Sequence, residues 1–341
     1  MLGTVKETIK YLTGIVGESG FGSKSTVDQV LEDTNLNLGT ITAIITGATS
    51  GIGLELALAL ANRSATLVLP THHPHTADTI ISRIASDFPN AQIIALPLDL
   101  SSLSSVRSFV SRFEALNLPL NLLINNAGRF CYEYERSEDG VEMTFATNYL
   151  GHFLLTNMLV EKMVVTARTD GVEGRVVNVT SQSHAWFEGD GIRYLRMVNE
   201  DGRFYNATRA YELSKLANVW HTTEIARKLK KMEANVTANC VHPGIVKTRL
   251  NRQREGLTTD LIFFLASKLL KTIPQAAGAV CYVATHPKVK GVSGKYFVDC
   301  NEAAWPSKLG SDENEAAKMW DFSEALIAEK LKLGLNSVYS L

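Results

Sequence analysis

A tyrosine and a lysine, Tyr211 and Lys215, stand four residues apart in the segment Y-E-L-S-K. On a helix, residues at this spacing share one face, so the phenol and the ammonium group are expected to be neighbours. A nearby ammonium stabilises a phenolate and lowers its pKa from about 10, which suits general acid–base chemistry. Taken alone, the same spacing is also typical of a surface tyrosine and a surface lysine.

Two further polar residues stand where they could join this pair. Ser181 follows the apolar run V-V-N-V-T, and Asn148 lies in T-N-Y-L-G-H-F, after the run that ends in N-N-A-G. In a sheet of parallel strands, ligands bind outside the carboxyl ends of the strands, which is where Ser181 would lie. Its hydroxyl could hold the oxygen of a carbonyl or an alcohol.

The segment T-G-A-T-S-G-I-G, residues 46–53, connects an apolar run to the helical pattern L-E-L-A-L-A-L-A. In this arrangement Gly47 permits a tight turn, Gly51 lets the backbone approach a pyrophosphate, and Gly53 lets helix and sheet pack closely. The unpaired N–H groups of the helix N-terminus attract phosphate. The segment therefore predicts a dinucleotide site, and a plain turn between strand and helix is the alternative.

The residues after the second apolar run, P-T-H-H-P-H, stand where dinucleotide folds select the adenosine ribose. An acid at this position accepts a hydrogen bond from the 2′-hydroxyl of NAD, and an arginine accommodates the 2′-phosphate of NADP. This segment has neither, but His72, His73 and His75 could donate hydrogen bonds to a phosphate. We expect NADP(H), with NAD(H) not excluded, and no metal site, because no carboxylates accompany the histidines.

The elements that position these residues alternate along the chain. Short β-branched runs are separated by longer helical patterns, which predicts right-handed crossovers and a doubly wound parallel β-sheet of the Rossmann type, an α/β fold. We expect one domain over residues 40–300, a loosely held extension over residues 1–39, and a tail over residues 301–341 with a helix from Glu313 to Lys332. The predicted strands are Ile41–Thr46, Ala65–Leu69, Gln92–Leu96, Leu120–Ile124, Arg175–Val179, Asn235–Val241 and Lys295–Val298.

Composition sets outer limits on function. The 341 residues are 45% hydrophobic and 20% charged, with a formal net charge of -1, which is typical of a globular protein and argues against a nucleic-acid partner. No apolar run is long enough for a bilayer span, and the first residues show no secretory signal pattern. The four cysteines form no C-x-x-C pair and are expected to be reduced, buried thiols.

Taken in order, these motifs resemble the short-chain dehydrogenase/reductase family over residues 40–300. The matching pattern is T-G-x-x-x-G-x-G, D-L, N-N-A-G, N, S, Y-x-x-x-K and P-G. The phrases F-A-T-N-Y-L-G-H-F-L-L-T and G-V-S-G-K-Y-F are similar to the retinol-dehydrogenase-like branch. Within it, the chain is most similar to plant members, which include proteins associated with the translocon of the chloroplast inner envelope. Those members usually carry an arginine where this chain has His72.

The resemblance implies roles for the candidate residues. Tyr211 would exchange the proton with the substrate oxygen, and Lys215 would lower the pKa of Tyr211 and bind the nicotinamide ribose. Ser181 would orient the carbonyl, and Asn148 would hold a water that links Lys215 to a proton relay. Asp99 would contact the adenine, with the backbone of Leu100 nearby. The residues expected to contact the cofactor are Gly47, Thr49, Ser50, Gly51, Ile52, Gly53, His72, Asp99, Leu100, Asn126, Ala127, Gly128, Tyr211, Lys215, Pro243, Gly244, Val246 and Thr248.

Three segments should form the walls of the substrate site, and all are rich in apolar residues. They are residues 129–136, residues 182–210 and residues 249–274. The third segment is amphipathic, and the sequence allows three interpretations of it: a mobile lid, a membrane-surface helix or a core helix. Expected aromatic wall residues are Phe130, Tyr132, Tyr134, Trp186, Phe187, Tyr194, Phe204 and Tyr205.

The sequence thus predicts an NADP(H)-dependent oxidoreductase that acts on a bulky apolar carbonyl or secondary alcohol, such as a plant specialised metabolite. The alternative is a binding module, associated with a membrane protein complex, that senses the redox state of the nicotinamide pool. The expected location is the cytoplasm, and the periphery of the chloroplast envelope is the alternative. The sequence is also compatible with peripheral contact to a membrane and with assembly into a homo-oligomer.

Overall fold

The computed structural model describes residues 10–34, 38–72, 74–246, 270–305 and 307–331, with only the backbone described for residues 74–76. Across these residues, eight strands form one sheet. They are β1 (Thr42–Ile45), β2 (Thr66–Thr71), β3 (Ile93–Pro97), β4 (Leu122–Asn125), β5 (Gly174–Val179), β6 (Val236–His242), β7 (Tyr296–Val298) and β8 (Asn301–Ala303). Their order in the sheet is β3-β2-β1-β4-β5-β6-β7-β8, which confirms the doubly wound α/β prediction.

Strands β1 to β7 are parallel, and each overlaps one of the seven predicted runs, with ends that differ by at most two residues. The short strand β8 runs antiparallel to β7 and was not predicted, because N-E-A carries no apolar pattern. The order reverses between β1 and β4, so the ends of these two strands and of β5 border the crevice where doubly wound sheets bind ligands.

Helices cover both faces of the sheet. They are α1 (Val27–Glu32), α2 (Gly51–Ala61), α3 (Pro74–Asp87), α4 (Leu103–Ala115), α5 (Gly151–Asp170), α6 (Gly191–Glu200), α7 (Ala207–Lys231), α8 (Ile273–Thr285) and α9 (Glu313–Lys330). A short helical turn, Met143–Phe145, and a π-helical turn, Ala146–Leu150, lead directly into α5. Within the described residues, no helix combines the length and the apolar character that a membrane crossing requires.

The core has two layers because side chains of a strand alternate between its faces. In β1, Ile44 packs with α4, α5 and α7 on one side, and Ala43 and Ile45 pack with α2 and α8 on the other. The strands that lie under the site are therefore buried on both faces, which fixes the positions of their carboxyl ends.

The described part of the N-terminal extension packs firmly on the body. Val30 and Leu31 of α1 are buried with α8, and a β-carbon at Gly278 would lie 2.7 Å from the Ser25 carbonyl oxygen, so the two segments approach closely. Farther back, the Ser19 N–H donates to Asn301 Oδ1 at 3.1 Å. The expectation of a loosely held extension is wrong here, because the six residues V-D-Q-V-L-E are too few to show a helical period.

The expected helix of the tail is present as α9, which packs on α7 and α5. The rings of Trp320 and Phe153 lie 4.8 Å apart and nearly perpendicular. Ala316 and Met319 are buried, whereas Ala317 is only partly buried. The tail thus covers the helices that carry Asn148 and Tyr211 from behind.

Candidate functional site

Three of the four expected catalytic side chains meet at the carboxyl end of β5. The side chain of Ser181, two residues beyond that strand, is hydrogen-bonded to the Tyr211 hydroxyl. One turn further along α7, the buried Lys215 Nζ lies 5.6 Å from the centroid of the Tyr211 ring and donates to the Val179 carbonyl at 3.2 Å. The helix spacing therefore brings the phenol and the ammonium group to one face, as predicted.

Burial dominates the electrostatics of this pair. Withdrawal of the Tyr211 hydroxyl from water raises its pKa to about 12, and the hydrogen bond from Ser181 offsets only part of this shift. Burial also lowers the pKa of Lys215 to about 8. The expectation that the pKa of Tyr211 lies below its ordinary value is wrong for this site, because desolvation of the phenolate outweighs the other influences. Tyr211 therefore keeps its proton at neutral pH.

Asn148 lies in the π-helical turn before α5, and its side chain is held by three hydrogen bonds. Its Oδ1 accepts from the Arg129 N–H at 2.7 Å, and its Nδ2 donates to the Arg129 carbonyl and to Ser214 Oγ, both at 3.0 Å. Ser214 in turn donates to the Tyr211 carbonyl at 2.7 Å. Ser214 and Arg129 were not among the candidate residues read from the sequence, although Ser214 stands between the two candidate residues of α7, Tyr211 and Lys215. The expected water on Asn148 stays a prediction.

The glycine-rich turn between β1 and α2 has the shape that a dinucleotide requires. Gly47 and Gly51 have positive φ angles of 70° and 57°, which favour glycine. A β-carbon on Gly53 would lie 2.5 Å from the Gly47 carbonyl oxygen, so only glycine allows α2 to start this close to the turn. Among the described residues, no backbone N–H of α2 donates a capping hydrogen bond to the side chain of Ser50, the N-cap of this helix. These features fit a diphosphate bound at the helix N-terminus, with Thr49 and Ile52 in the same turn.

The end of β4 is tied to this turn through Thr46, a residue to which the sequence analysis gave no role. Thr46 Oγ1 accepts from the N–H groups of Asn126 and Ala127 at 2.9 and 3.0 Å. The Asn126 side chain donates to the Thr46 carbonyl at 2.8 Å, so its amide braces the turn. A β-carbon at Gly128 would lie 3.6 Å from Lys215 Nζ, which places the last residue of N-A-G beside this lysine.

At the other end of the cleft, Asp99 and His72 are neighbours. Asp99 Oδ1 accepts from the N–H and the hydroxyl of Ser101, at 2.8 and 2.7 Å. His72 Nδ1 lies 3.7 Å from Asp99 Oδ2. The segment directly after β2 contains no acid. The fold nevertheless brings the carboxylate of Asp99, which follows β3, to this place. The carbonyl of Leu100, the next residue, packs against Gly151 at the start of α5. His73 and the side chain of His75 lie outside the description.

The turn after β6 is the last expected cofactor contact. Gly244 has a φ of 99°, and a β-carbon there would lie 2.6 Å from Cδ of Lys271, which covers the turn after Pro243. Val246 pairs with Lys271 in an isolated bridge, and Lys271 Nζ forms an ion pair with Asp299 Oδ1 at 2.5 Å. Thr248 lies outside the described residues.

Aromatic rings form a wall next to the Tyr211 hydroxyl. The Phe130 ring lies 4.9 Å from that of Tyr132 and 5.4 Å from that of Tyr211, measured between centroids. Trp186 and Phe204 are 66% and 56% exposed, which is unusual for such large apolar side chains. The rings of Phe130 and Tyr132 therefore place apolar surface beside Tyr211.

Two of the expected wall residues belong to the core instead. Phe187 and Tyr194 are buried, and the Arg209 guanidinium lies 4.8 and 5.1 Å from their ring centroids. Tyr134 and Tyr205 pack on each other with centroids 5.6 Å apart. The third expected wall, residues 249–274, lies outside the described residues up to position 269.

The chain is similar in sequence to a known family and to several known proteins. The model of a family described as short chain dehydrogenase matches residues 41–188. The chain is 46% identical over 316 residues to "Short-chain dehydrogenase TIC 32 B, chloroplastic" from Brassica napus, covering 93% of this chain and 97% of that protein. It is 37% identical over 298 residues to retinol dehydrogenase 14 of Mus musculus, covering 84% of this chain and 85% of that protein.

Among solved structures, the chain is similar to that of L-sorbose reductase from Gluconobacter frateurii complexed with NADPH and L-sorbose. The two share a TM-score of 0.60 and 18% identity, over 77% of this chain and 97% of that one. At this identity the likeness concerns the fold.

Proposed function

Because the chain belongs to the short-chain dehydrogenase family, we propose that it is an NADP(H)-dependent oxidoreductase acting on a bulky apolar carbonyl or secondary alcohol. The observation that carries the proposal is the meeting of the Tyr211 hydroxyl, the Ser181 side chain and the buried Lys215 at the carboxyl end of β5. A binding module would not need a buried ammonium next to a hydrogen-bonded phenol.

The residues that would hold the cofactor follow the cleft from end to end. The turn from Gly47 to Gly53 would hold the diphosphate. Asp99 and Leu100 would contact the adenine. The turn from Pro243 to Val246 would contact the nicotinamide. His72 would meet a 2′-phosphate, and Lys215 the nicotinamide ribose. A bound nicotinamide supplies the hydride donor or acceptor, which no side chain of the protein can provide. The NADPH named in the structure of the sorbose reductase supports this choice of cofactor.

Tyr211 is suited to act as the acid in the reductive direction. With a pKa of about 12 it is protonated at neutral pH, so it can donate its proton to the carbonyl oxygen while the carbonyl carbon takes up hydride. Ser181 would orient that oxygen, and the charge of Lys215 would stabilise the phenolate that remains. Asn148, fixed by Arg129 and Ser214, would complete the set by holding a water near Lys215.

The substrate class follows from the wall beside the phenol. The ring of Phe130 lies against those of Tyr132 and Tyr211, and we expect the exposed Trp186 and Phe204 to add apolar surface to the same wall. Apolar walls with a few polar anchors bind bulky apolar ligands. Because the relatives of this chain include plant proteins, a plant specialised metabolite is our choice of substrate.

The test is NADPH oxidation with a panel of bulky ketones and aldehydes, comparing wild type with Tyr211→Phe. We expect the variant to lose about a hundredfold or more in turnover while it still binds NADPH. Tyr134→Phe, a phenol that packs on Tyr205, is the matched control and should keep its activity. Unchanged turnover in Tyr211→Phe would refute the assignment of the acid. NADPH binding without turnover across the panel would favour the redox-sensing module instead.

For the location in the cell, the Brassica relatives named chloroplastic favour the chloroplast, with the envelope periphery as the specific site, over the cytoplasm. Imaging of the full chain fused at its C-terminus to a fluorescent protein, in leaf cells, tests this. A diffuse cytoplasmic signal would argue against it.

A further inference from the structure

We propose that His152 is a positioning residue whose imidazole joins the dinucleotide-binding turn to the backbone of Asn148. The inference rests on the function proposed above and concerns a residue to which neither the sequence motifs nor the mechanism assigned a task. His152 lies on α5, one helical turn after Asn148, and is 1% exposed.

The hydrogen bonds of His152 define which ring nitrogen carries the proton. Nδ1 lies 3.1 Å from the Asn148 carbonyl oxygen, and Nε2 lies 2.8 Å from Thr46 Oγ1. A carbonyl oxygen only accepts hydrogen bonds, so Nδ1 must donate. Nε2 is then the acceptor in a neutral ring, and the Thr46 hydroxyl donates to it.

Thr46 independently requires the same direction. Its oxygen already accepts from the N–H groups of Asn126 and Ala127, which occupy both lone pairs. The hydroxyl proton is therefore left for His152, at 2.8 Å, in preference to the Ile124 carbonyl at 3.3 Å. A protonated imidazole would turn Nε2 into a donor and break this bond. Burial, with Lys215 as a further influence, lowers the pKa of His152 to about 4, so the ring stays neutral at physiological pH.

The far end of this connection is Asn148, whose side chain, like that of Lys215, lies close to Gly128. The Asn148 carbonyl receives a second side-chain donor, Asn218 Nδ2 of α7, at 3.2 Å. Asn148 belongs to a π-helical turn, a feature frequent at functional sites. Its Oδ1 and Lys215 Nζ both lie close to Gly128, at 3.5 and 3.6 Å from the position of a β-carbon there.

Thr46, His152 and Asn148 thus form one buried chain of hydrogen bonds between the two halves of the site. One end braces the Asn126–Ala127 backbone beside the glycine-rich turn, and the other holds the backbone that faces Lys215. A shift at either end must be transmitted or must break a buried hydrogen bond, at the cost of an unsatisfied polar group. A substitution of His152 should therefore change cofactor affinity and turnover at the same time.

The first test uses the full-length wild-type protein and needs no cofactor. In ¹⁵N NMR spectra, the imidazole signals that disappear in His152→Phe should show a pyrrole-type Nδ1 and a pyridine-type Nε2. The opposite tautomer, or a charged ring at neutral pH, would overturn the inference whether or not the protein binds NADPH. Failure of the proposed function is separately visible, as wild-type protein that does not bind NADPH.

The second test is a double-mutant cycle of Thr46→Val and His152→Phe, read out as the NADPH dissociation constant by fluorescence and as kcat. Each single variant should weaken NADPH binding by about tenfold or more, and the double variant should lose little beyond the worse single one. If His152→Phe does not fold, Thr46→Val reports on the same bond from its other end.

The matched control is His221→Phe. This histidine is as deeply buried on α7, among the rings of Tyr149, Phe153 and Trp320, and neither ring nitrogen has a hydrogen-bond partner within the described residues. It should change the melting temperature and leave the NADPH dissociation constant unchanged. A purely structural role of His152 would give the same pattern, and that result would overturn the proposal.

Discussion

The imidazole of His72 lies 3.7 Å from the carboxylate of Asp99, at the edge where β2 and β3 end, and both side chains are substantially exposed, at 62% and 37%. An exposed pair of this kind contributes little to stability. The pair matters instead for the cofactor. His72 is the residue expected to meet a 2′-phosphate, and the neighbouring carboxylate of Asp99 would repel that phosphate.

His72→Arg should therefore shift cofactor preference toward NADPH. A guanidinium is permanently charged and binds phosphate through two parallel hydrogen bonds, so we expect the ratio of NADPH to NADH affinity to rise about tenfold. Fluorescence titrations with both cofactors at low and high salt measure this ratio. His72→Gln, which replaces the imidazole by an uncharged amide, should not raise the ratio. Equal ratios in all three proteins would show that His72 lies away from the phosphate.

Gly53→Ala and Gly128→Ala separate two motif glycines that look equivalent in the sequence. A β-carbon at Gly53 would meet backbone at 2.5 Å, so this variant should lose stability and NADPH binding together. At Gly128 the nearest atoms are 3.5 Å away, so Gly128→Ala should keep its melting temperature and lose activity only through crowding beside Lys215. Thermal unfolding with and without NADPH compares them. Equal melting temperatures would contradict the close approach at Gly53.

Lys215→Met should change how stability depends on pH. The pKa of Lys215 is about 8 in the folded chain and 10.5 for an ordinary lysine, so between these values the unfolded chain holds a proton that the folded chain has released. Stability from this group therefore rises with pH across that window, by up to about 3 kcal/mol.

Urea unfolding at pH 7.5 and 9.5 tests this prediction. The free energy of unfolding should rise more steeply with pH in the wild-type protein than in Lys215→Met. The exposed Lys231→Met is the control and should follow the wild-type curve. Parallel curves for Lys215→Met would mean that water reaches the ammonium group.

Leu31→Ala should reveal the energetic weight of the N-terminal extension. Leu31 is 1% exposed in the core formed with α8, so its truncation should lower the free energy of unfolding by about 2–5 kcal/mol. Leu12→Ala, at a side chain that is 38% exposed, should change it by about 0.5 kcal/mol or less. Denaturant unfolding measures both. Equal small effects would show that the extension folds independently of the body.

The parts of the molecule with strong periodic or motif signals could be predicted from the sequence. All seven β-branched runs are strands, and the spacing of Tyr211 and Lys215 brings them together because one helix holds both. What escaped prediction depends on contacts between distant segments. Thr46 and His152 are 106 residues apart in sequence, and no local sequence pattern predicts the hydrogen bond between their side chains.

Electrostatic expectations failed for a related reason. The sequence shows that an ammonium group is near the Tyr211 phenol, but it does not show how far both are withdrawn from water. Desolvation reverses the expected direction of the phenol's pKa shift. In the same way, Asp99 reaches His72 only because β3 lies beside β2 in the sheet.

The bond between Ser19 and Asn301 spans 282 positions of the chain. During synthesis, the extension leaves the ribosome long before the strand that receives it, so it must wait undocked while the sheet assembles. Contacts this remote in sequence slow folding, and apolar residues that wait for them are exposed to premature association. The bond between Ser19 and Asn301 thus cannot form until residue 301 has been made, and a chain truncated before that residue would leave the Ser19 N–H without this acceptor.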